Sequence, residues 1–109
     1  MTYKVVYLPI ALKDLREITD YITVNLNAPD AALDFIIAIE ESVSILELFP
    51  YSRRVYQPIK QLEHEYRLLP VKNYAIFYTV NEQTVEIHRV IYGKRNLSEL
   101  IAHNPSEDS

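Results

Sequence analysis

The stretch from residue 66 to residue 96 constrains the fold more than any other part of the chain, because it predicts three consecutive β-strands. β-branched and aromatic residues dominate it between short polar breaks, which is typical of a half-buried pleated sheet. The breaks at 72–73 and 81–83 are short enough for hairpin turns. We predict strands over residues 65–70, 74–81 and 84–92. The second of these is apolar along nearly its whole length, which favours a central position.

The N-terminal part predicts one more strand and a first helix. Residues 2–8 are rich in β-formers and are bounded by Pro9, which suits the first turn of a helix because its missing N–H costs nothing there. Apolar residues then recur at helical spacing, which predicts a helix over 9–24. This stripe comprises Leu8, Leu12, Leu15, Ile18 and Ile22. Asp14, Glu17 and Asp20 lie off the stripe and are expected to be solvated.

A second helix is predicted over residues 28–48. Asn27 suits its N-cap, Pro29 its first turn, and Pro50 lies beyond its end. Its apolar stripe comprises Ala32, Phe35 or Ile36, Ile39, Val43 and Leu46. The short break between the helices makes them an antiparallel pair. The predicted fold is therefore α+β, in the order β-α-α-β-β-β, with a helical hairpin packed on one face of a small, mostly antiparallel, curved sheet.

Length and composition narrow the class of protein. A chain of 109 residues without cysteine predicts one domain with no disulfide and no thiolate metal site. We expect residues 1–103 to form this domain and residues 104–109 to be a disordered tail. Neither a signal sequence nor an apolar run approaching about 18 residues is present, so a cytoplasmic location without membrane contact is expected.

The charge is distributed unevenly. Residues 1–50 carry 3 basic and 8 acidic residues, whereas residues 51–97 carry 8 basic and 4 acidic ones. This predicts an acidic helical half and a basic sheet half. The net charge of −4 argues against non-specific binding of nucleic acid by the whole protein.

The basic side chains of the last three strands are the candidate binding groups. Lys72, Arg89, Lys94 and Arg95 are predicted to contact a partner on the open sheet face or at its rim. Strand alternation places Glu86, His88, Val90 and Tyr92 on one face and Val85, Ile87, Arg89 and Ile91 on the other. An arginine among valine and isoleucine predicts either a snorkelling side chain or an opening of the sheet edge. The competing interpretation is that these cations are ordinary solubilising charges.

No metal or cofactor site is expected. The three histidines lack helical i, i+4 spacing, and one glycine cannot build a phosphate-binding loop. RNA cleavage remains chemically open, because the 2′-hydroxyl of RNA supplies its own nucleophile and requires only a base, an acid and phosphate-holding cations.

The order and spacing of several short segments resemble the RelE/ParE superfamily of toxins from bacterial type II toxin–antitoxin systems. The resemblance covers nearly the whole chain. The segments are Asp14-Leu-Arg-Glu-Ile18, Asn27-Ala-Pro-Asp-Ala-Ala32, Leu48-Phe-Pro50, Tyr66-Arg-Leu68, Asn73-Tyr-Ala-Ile-Phe-Tyr78 and Arg89-Val-Ile-Tyr-Gly-Lys-Arg95. The resemblance implies a growth-inhibitory toxin that a cognate antitoxin neutralises in a hetero-oligomer.

The superfamily divides in function, and the resemblance implies two alternatives. ParE-like members poison DNA gyrase, whereas RelE-like members cut mRNA in the ribosome. If this chain is a ribonuclease, Arg67, Arg95 and Tyr92 are the implied catalytic residues. Leu69, Ala75 and Ile101 stand where the RelE-like pattern has a basic residue, an arginine and a tyrosine, so a ParE-like function with a protein target is favoured. A non-toxic peptide-binding module is a further alternative.

Overall fold

The structure, a computed structural model, describes residues 2–56 and 64–93. Four strands and two helices account for most of them. The strands are β1 (Lys4–Tyr7), β2 (Arg67–Val71), β3 (Tyr74–Asn81) and β4 (Thr84–Tyr92). The helices are α1 (Pro9–Asp20), which continues as a π-helical turn (Tyr21–Asn25), and α2 (Pro29–Leu46).

The predicted fold class and element order are confirmed. The strands form one sheet in the spatial order β1-β4-β3-β2. β3 pairs antiparallel with both β2 and β4, whereas β1 lies parallel to β4, to which a long connection and not a hairpin joins it. Neither described helix has both the length and the apolar character needed to cross a bilayer.

The start of α2 differs from the predicted N-cap. Asn27 has a φ of 51°, and Ala28 takes the N-cap position without a side-chain hydrogen bond. Asn27 instead serves as the left-handed turn residue between the helices, a conformation that asparagine tolerates better than most residues. Pro29 begins the helix, as predicted.

The helices bury one side against the sheet. Phe35, Ile39 and Leu46 of α2 are at most 2% exposed, and burying each such side chain stabilises the fold by about 1.5–3 kcal/mol. These residues belong to the inner core, which also contains Ala11, Val43, Leu69, Val71, Ile76, Tyr78, Val85, Ile87 and Val90. The prediction for Leu12 is wrong: it is 49% exposed, because Ala11 takes the position that faces the sheet.

The opposite side of the sheet carries a second, smaller apolar cluster. We call this side the outer face, because none of the cluster residues comes from a helix. The cluster contains Tyr66, Ala75, Phe77 and Ile91, with Tyr56 and Leu68 packed against them. β3 therefore buries side chains on both faces, which explains why its sequence is almost continuously apolar.

A β-bulge divides β4 into two halves. Phe77 pairs with Arg89, but the next residue, Tyr78, pairs with Ile87, so His88 is the extra residue. The uniform alternation predicted for β4 is therefore wrong beyond this point. Ile87 faces the helices before the bulge and Val90 faces them after it, whereas Ile91 joins the outer face.

The predicted solvation of Asp14 is also wrong, because its carboxylate closes a gap between α1 and β4. β1 ends at Tyr7, opposite Ile87, so among residues 2–56 and 64–93 no strand pairs with the following part of β4 on that side. Asp14 Oδ2 accepts hydrogen bonds from the Val90 N–H at 3.0 Å and from Arg89 Nε at 2.8 Å. Its Oδ1 accepts a second bond from the Arg89 guanidinium at 3.0 Å. Both side chains are largely buried, so this bidentate pair is a specific tie between helix and sheet.

Removing the carboxylate of Asp14 should destabilise the fold strongly. Asp14→Ala leaves the Arg89 charge and the Val90 N–H buried without their partner, and we expect it to lower the free energy of unfolding by about 3 kcal/mol. Asp34→Ala, which removes an exposed carboxylate from α2, should change it by no more than about 0.5 kcal/mol. Urea denaturation measures both variants. Equal losses would show that the tie contributes little.

Candidate functional site

Arg67 lies at the start of β2 and is held by its own chain. Its register with Tyr78 and its alternation with Leu69 place it on the side of the sheet that carries the inner core. Its guanidinium donates to the backbone oxygen of Arg53 at 2.7 Å and lies 5.0 Å from the centre of the Tyr51 ring. The guanidinium also contacts the carboxylate of the exposed Glu65, at the longer distance of 3.4 Å. These contacts tie Arg67 to the segment before β2.

The buried hydroxyl of Tyr78 helps to fix the same segment. It donates to the backbone oxygen of Pro50 at 2.7 Å. Burial raises the pKa of Tyr78 to about 12, although the nearby Arg67 and Arg53 charges act in the opposite direction. Tyr78 is therefore a neutral structural donor and not an acid–base group at neutral pH.

Tyr92 lies at the far end of the sheet from Arg67. It pairs with Tyr74, whereas Arg67 pairs with Tyr78, which is four residues further along β3. This spacing separates them by roughly 13 Å along the strand direction. Tyr92 packs edge-to-face on Tyr74 with ring centres 5.8 Å apart. Arg67 and Tyr92 are the two implied ribonuclease residues that the structure describes. They are therefore not close together.

The predicted partner-binding cations have different environments. Arg89 does not project from an open face, because its guanidinium reaches past the end of β1 to Asp14. Lys72 is exposed in the β2–β3 turn with a φ of 55°. Lys94 and Arg95 lie outside the described residues, as do Ile101 and the predicted tail at 104–109.

A group of polar side chains surrounds the bulge residue His88 on the outer face. Thr79 Oγ1 lies 3.0 Å from His88 Nε2, and the Tyr66 hydroxyl lies 3.4 Å from Nδ1. Glu86 accepts from the Thr79 hydroxyl at 3.5 Å. One assignment satisfies this His88 cluster (Tyr66, Thr79, Glu86 and His88): Nε2–H donates to Thr79, and Nδ1 accepts from Tyr66. Tyr66 lies just before β2, whereas Thr79 belongs to β3 and the other two residues belong to β4. The cluster therefore joins the segment before β2 to the sheet.

Burial lowers the pKa of His88 below its ordinary value, and the neighbouring His64 acts in the same direction. Glu86 opposes this shift by its charge and its hydrogen bond. His88 is therefore neutral at pH 7, consistent with an imidazole that both donates and accepts.

Two clefts lie beside the outer face of the sheet. The polar cleft, of about 290 Å³, is lined by Tyr51, His64, Glu65, Arg67, Thr79, Val80, Asn81 and Glu86. The outer cleft, of about 390 Å³, is lined by Arg54, Val55, Tyr56, Leu68, Ala75, Phe77 and Gly93. Among residues 2–56 and 64–93, no group of three or more His, Asp or Glu side chains is arranged to hold a metal ion.

Sequence reasoning did not predict the outer cleft. Arg54 and Val55 lie in a connection without a clear period, and only the structure shows Val55 bridged to Arg67 at the edge of β2. One signal was available: Ala75 and Phe77 alternate with the apolar Ile76 and Tyr78, which indicates a sheet with two apolar faces.

The shifted pKa of His88 predicts a loss of stability in acid. Below about pH 6.5 the unfolded chain binds a proton at this histidine, while the folded chain binds it only at lower pH. The free energy of unfolding should therefore decrease as the pH falls below this value. His88→Gln should remove that component, whereas His64→Gln, which removes only the smaller contribution of His64 to the lowered pKa, should keep most of it. Urea titrations from pH 7.5 downward test this, and an unchanged pH dependence in His88→Gln would refute it.

Solved structures of toxin–antitoxin systems share this fold. The chromosomal ParDE system from P. aeruginosa matches with a TM-score of 0.67 and 20% identity, over 84% of this chain and 96% of that chain. The RelBE2 complex from Mycobacterium tuberculosis matches with a TM-score of 0.56 and 21% identity, over 84% and 99%. The archaeal RelE–RelB complex from Pyrococcus horikoshii OT3 gives 0.53 and 19%, over 87% and 99%.

The sequence itself points to one branch of this superfamily. No curated protein matches the chain significantly. The family model described as the ParE toxin of the type II toxin–antitoxin system parDE matches residues 5–97, which is most of the chain. The chain therefore belongs to the ParE toxin family of type II toxin–antitoxin systems.

Proposed function

We propose that this protein is a growth-inhibitory toxin, neutralised by a cognate antitoxin, that acts in the cytoplasm on a protein target such as DNA gyrase. The observation that carries the proposal is the apolar floor of the outer face. Leu68, Ala75, Phe77 and Ile91 lie there, and the Arg67 and Arg89 guanidinium groups are bound elsewhere within the chain. An apolar floor suits contact with protein better than contact with a phosphate backbone.

The chemistry of RNA cleavage sets requirements that Arg67 and Tyr92 do not meet together. Cations must hold the phosphate where negative charge develops, and an acid and a base must lie within hydrogen-bond reach of the reacting oxygens. Arg67 and Tyr92 lie roughly 13 Å apart along the strand direction, which is too far for both to contact one phosphate. This separation supports a target other than mRNA.

A specific observation also favours the alternative, a RelE-like ribosome-dependent mRNA endonuclease. Arg67 lines the polar cleft together with His64 and Glu86, so a cation and two titratable groups share one cleft. Arg95, which the sequence resemblance also implicates, would have to complete such a site.

The antitoxin is proposed to bind as an acidic partner in a hetero-oligomer. The structural neighbours are themselves toxin–antitoxin complexes, which supports this class of partner. Of the predicted partner-binding cations, Lys72 is exposed and Arg89 is engaged by Asp14. Lys94 and Arg95 remain predictions from the sequence. Association with an acidic antitoxin should slow as salt is raised.

Induction in cells without antitoxin should separate the candidate functions. We expect growth arrest with induction of the DNA-damage response and intact mRNA, and purified protein should inhibit supercoiling by gyrase. The arrest should persist in Tyr92→Phe, because the partly exposed Tyr92 hydroxyl has no role in this proposal. Tyr21→Phe is the matched control at another exposed tyrosine, which lines neither cleft.

Other outcomes would identify the alternatives. mRNA cleavage in phase with codons that is lost in Tyr92→Phe or Arg95→Ala, but kept in Tyr21→Phe, would establish the endonuclease. Normal growth at high expression would exclude toxicity and leave a peptide-binding module.

A further inference from the structure

We propose that the outer cleft is a docking site for one bulky apolar side chain, aromatic or branched, carried by an acidic segment of a protein partner. The inference rests on the proposed function in one respect: it takes the partner to be a protein. It adds where the partner binds and which chemistry the site selects.

The floor of the cleft is made of side chains that exclude water. Ala75 and Phe77 are 7% and 4% exposed, and Leu68 packs against them. Tyr56 forms a wall with its ring edge-to-face on Phe77, at a centroid distance of 5.1 Å. A volume of about 390 Å³ lies at the low end of the range for ligand pockets, about 300–1,000 Å³. This suits one large side chain with its flanking backbone.

The small residue at position 75 provides the depth of the cleft. Ala75 pairs with Pro70 on β2 and with Ile91 on β4, so it occupies the middle of the outer face. Leu68 and Phe77, on either side, are much larger. A longer side chain at position 75 would occupy the space that a partner's side chain needs.

Hydrogen bonds hold the two sides of the cleft in place. On one side, the Leu68 N–H donates to the Arg54 oxygen at 3.2 Å, and the Tyr56 N–H donates to the Tyr66 oxygen at 2.7 Å. On the other side, the Gly93 N–H donates to the Asn73 oxygen at 2.9 Å. A Cβ at Gly93 would lie 3.3 Å from that oxygen, so a larger residue would crowd this side. Because the walls of the cleft are already ordered, binding there does not carry the entropy cost of ordering them.

The charges around the cleft indicate an acidic segment. Arg54 lines the cleft, and Lys72 lies in the turn beside Asn73; both are exposed. Among the described residues, neither has a carboxylate within salt-bridge distance. Glu65 and Glu86 line the polar cleft instead. The cleft thus has one cation, Arg54, in its lining and a second, Lys72, next to the residue that binds Gly93 of the lining, which favours a partner with acidic residues flanking the apolar one.

Binding of short peptides by the purified full-length chain tests this directly. The probes are the capped tripeptides Glu-Phe-Glu and Glu-Ser-Glu, which have equal charge, with a short oligoadenylate as the nucleic-acid probe. Titration to about 10 mM, followed by NMR, detects weak complexes. We expect the Phe peptide to shift the methyl resonances of Ala75 and Leu68 and the amide of Gly93. The Ser peptide should bind about 10-fold more weakly, because it leaves the floor uncovered.

Variants separate the contributions of shape and charge. Ala75→Leu fills the cleft and should abolish preference for the Phe peptide. Arg54→Glu should weaken the Phe peptide about 5-fold, whereas Arg16→Glu, the same charge change on the exposed side of α1, should not. If Ala75→Leu fails to fold, as judged by urea denaturation, the comparison of Arg54→Glu with Arg16→Glu still decides the claim about charge, and the comparison of the two peptides decides the claim about the floor.

Three results would overturn the proposal: equal affinity for the two peptides, shifts that avoid Ala75 and Leu68, or a preference for oligoadenylate at this cleft. The measurement is independent of growth arrest. A chain that binds the Phe peptide but leaves cells growing supports the cleft and refutes the proposed toxicity. A chain that arrests growth but does not bind the peptide refutes the cleft alone.

Discussion

The carboxylate of Asp14 is the contact on which the arrangement of helices and sheet depends. Pro9 starts α1 directly after β1, so β1 is too short to cover the second half of β4. Asp14 lies on α1, and its carboxylate reaches the part of β4 that β1 does not cover. There it accepts one hydrogen bond from the Val90 N–H and two from the Arg89 guanidinium. A buried carboxylate is tolerable only when it is paired and hydrogen-bonded in this way. The tie therefore fixes how α1 lies on the sheet and also removes Arg89 from the surface.

The bulge at His88 has an equally wide effect. Without the extra residue, the side chains that follow it would keep the alternation of Val85 and Ile87, and Val90 would face away from the helices. With it, Val90 joins the inner core, while His88 stays on the outer face with Thr79 and Glu86. The one extra residue thus places Val90 in the inner core and Ile91 in the cluster on the outer face. Bulges are frequent beside functional sites, where they redirect side chains.

Local patterns predicted the elements well, and long-range contacts explain what they missed. β3 and β4 have the predicted bounds, since β-branched and aromatic runs between short polar turns leave few alternatives. Asp14 lay off the apolar stripe of α1, and no local pattern reveals a partner 75 residues away. The bulge likewise depends on how β3 and β4 pair. For the site, the sequence indicated the residue types but not that Arg67 and Tyr92 lie at opposite ends of the sheet.

Charge in the sequence does not translate directly into a charged surface. Arg67 and Arg89 belong to the basic half of the chain, yet each is bound to another part of the protein. What remains on the outer face is an apolar floor whose depth comes from the small side chain of Ala75. An arginine there would fill the cleft and add a cation for phosphate, whereas alanine leaves a space for an apolar side chain. The residue at position 75 thus influences both the shape and the charge of this part of the outer face.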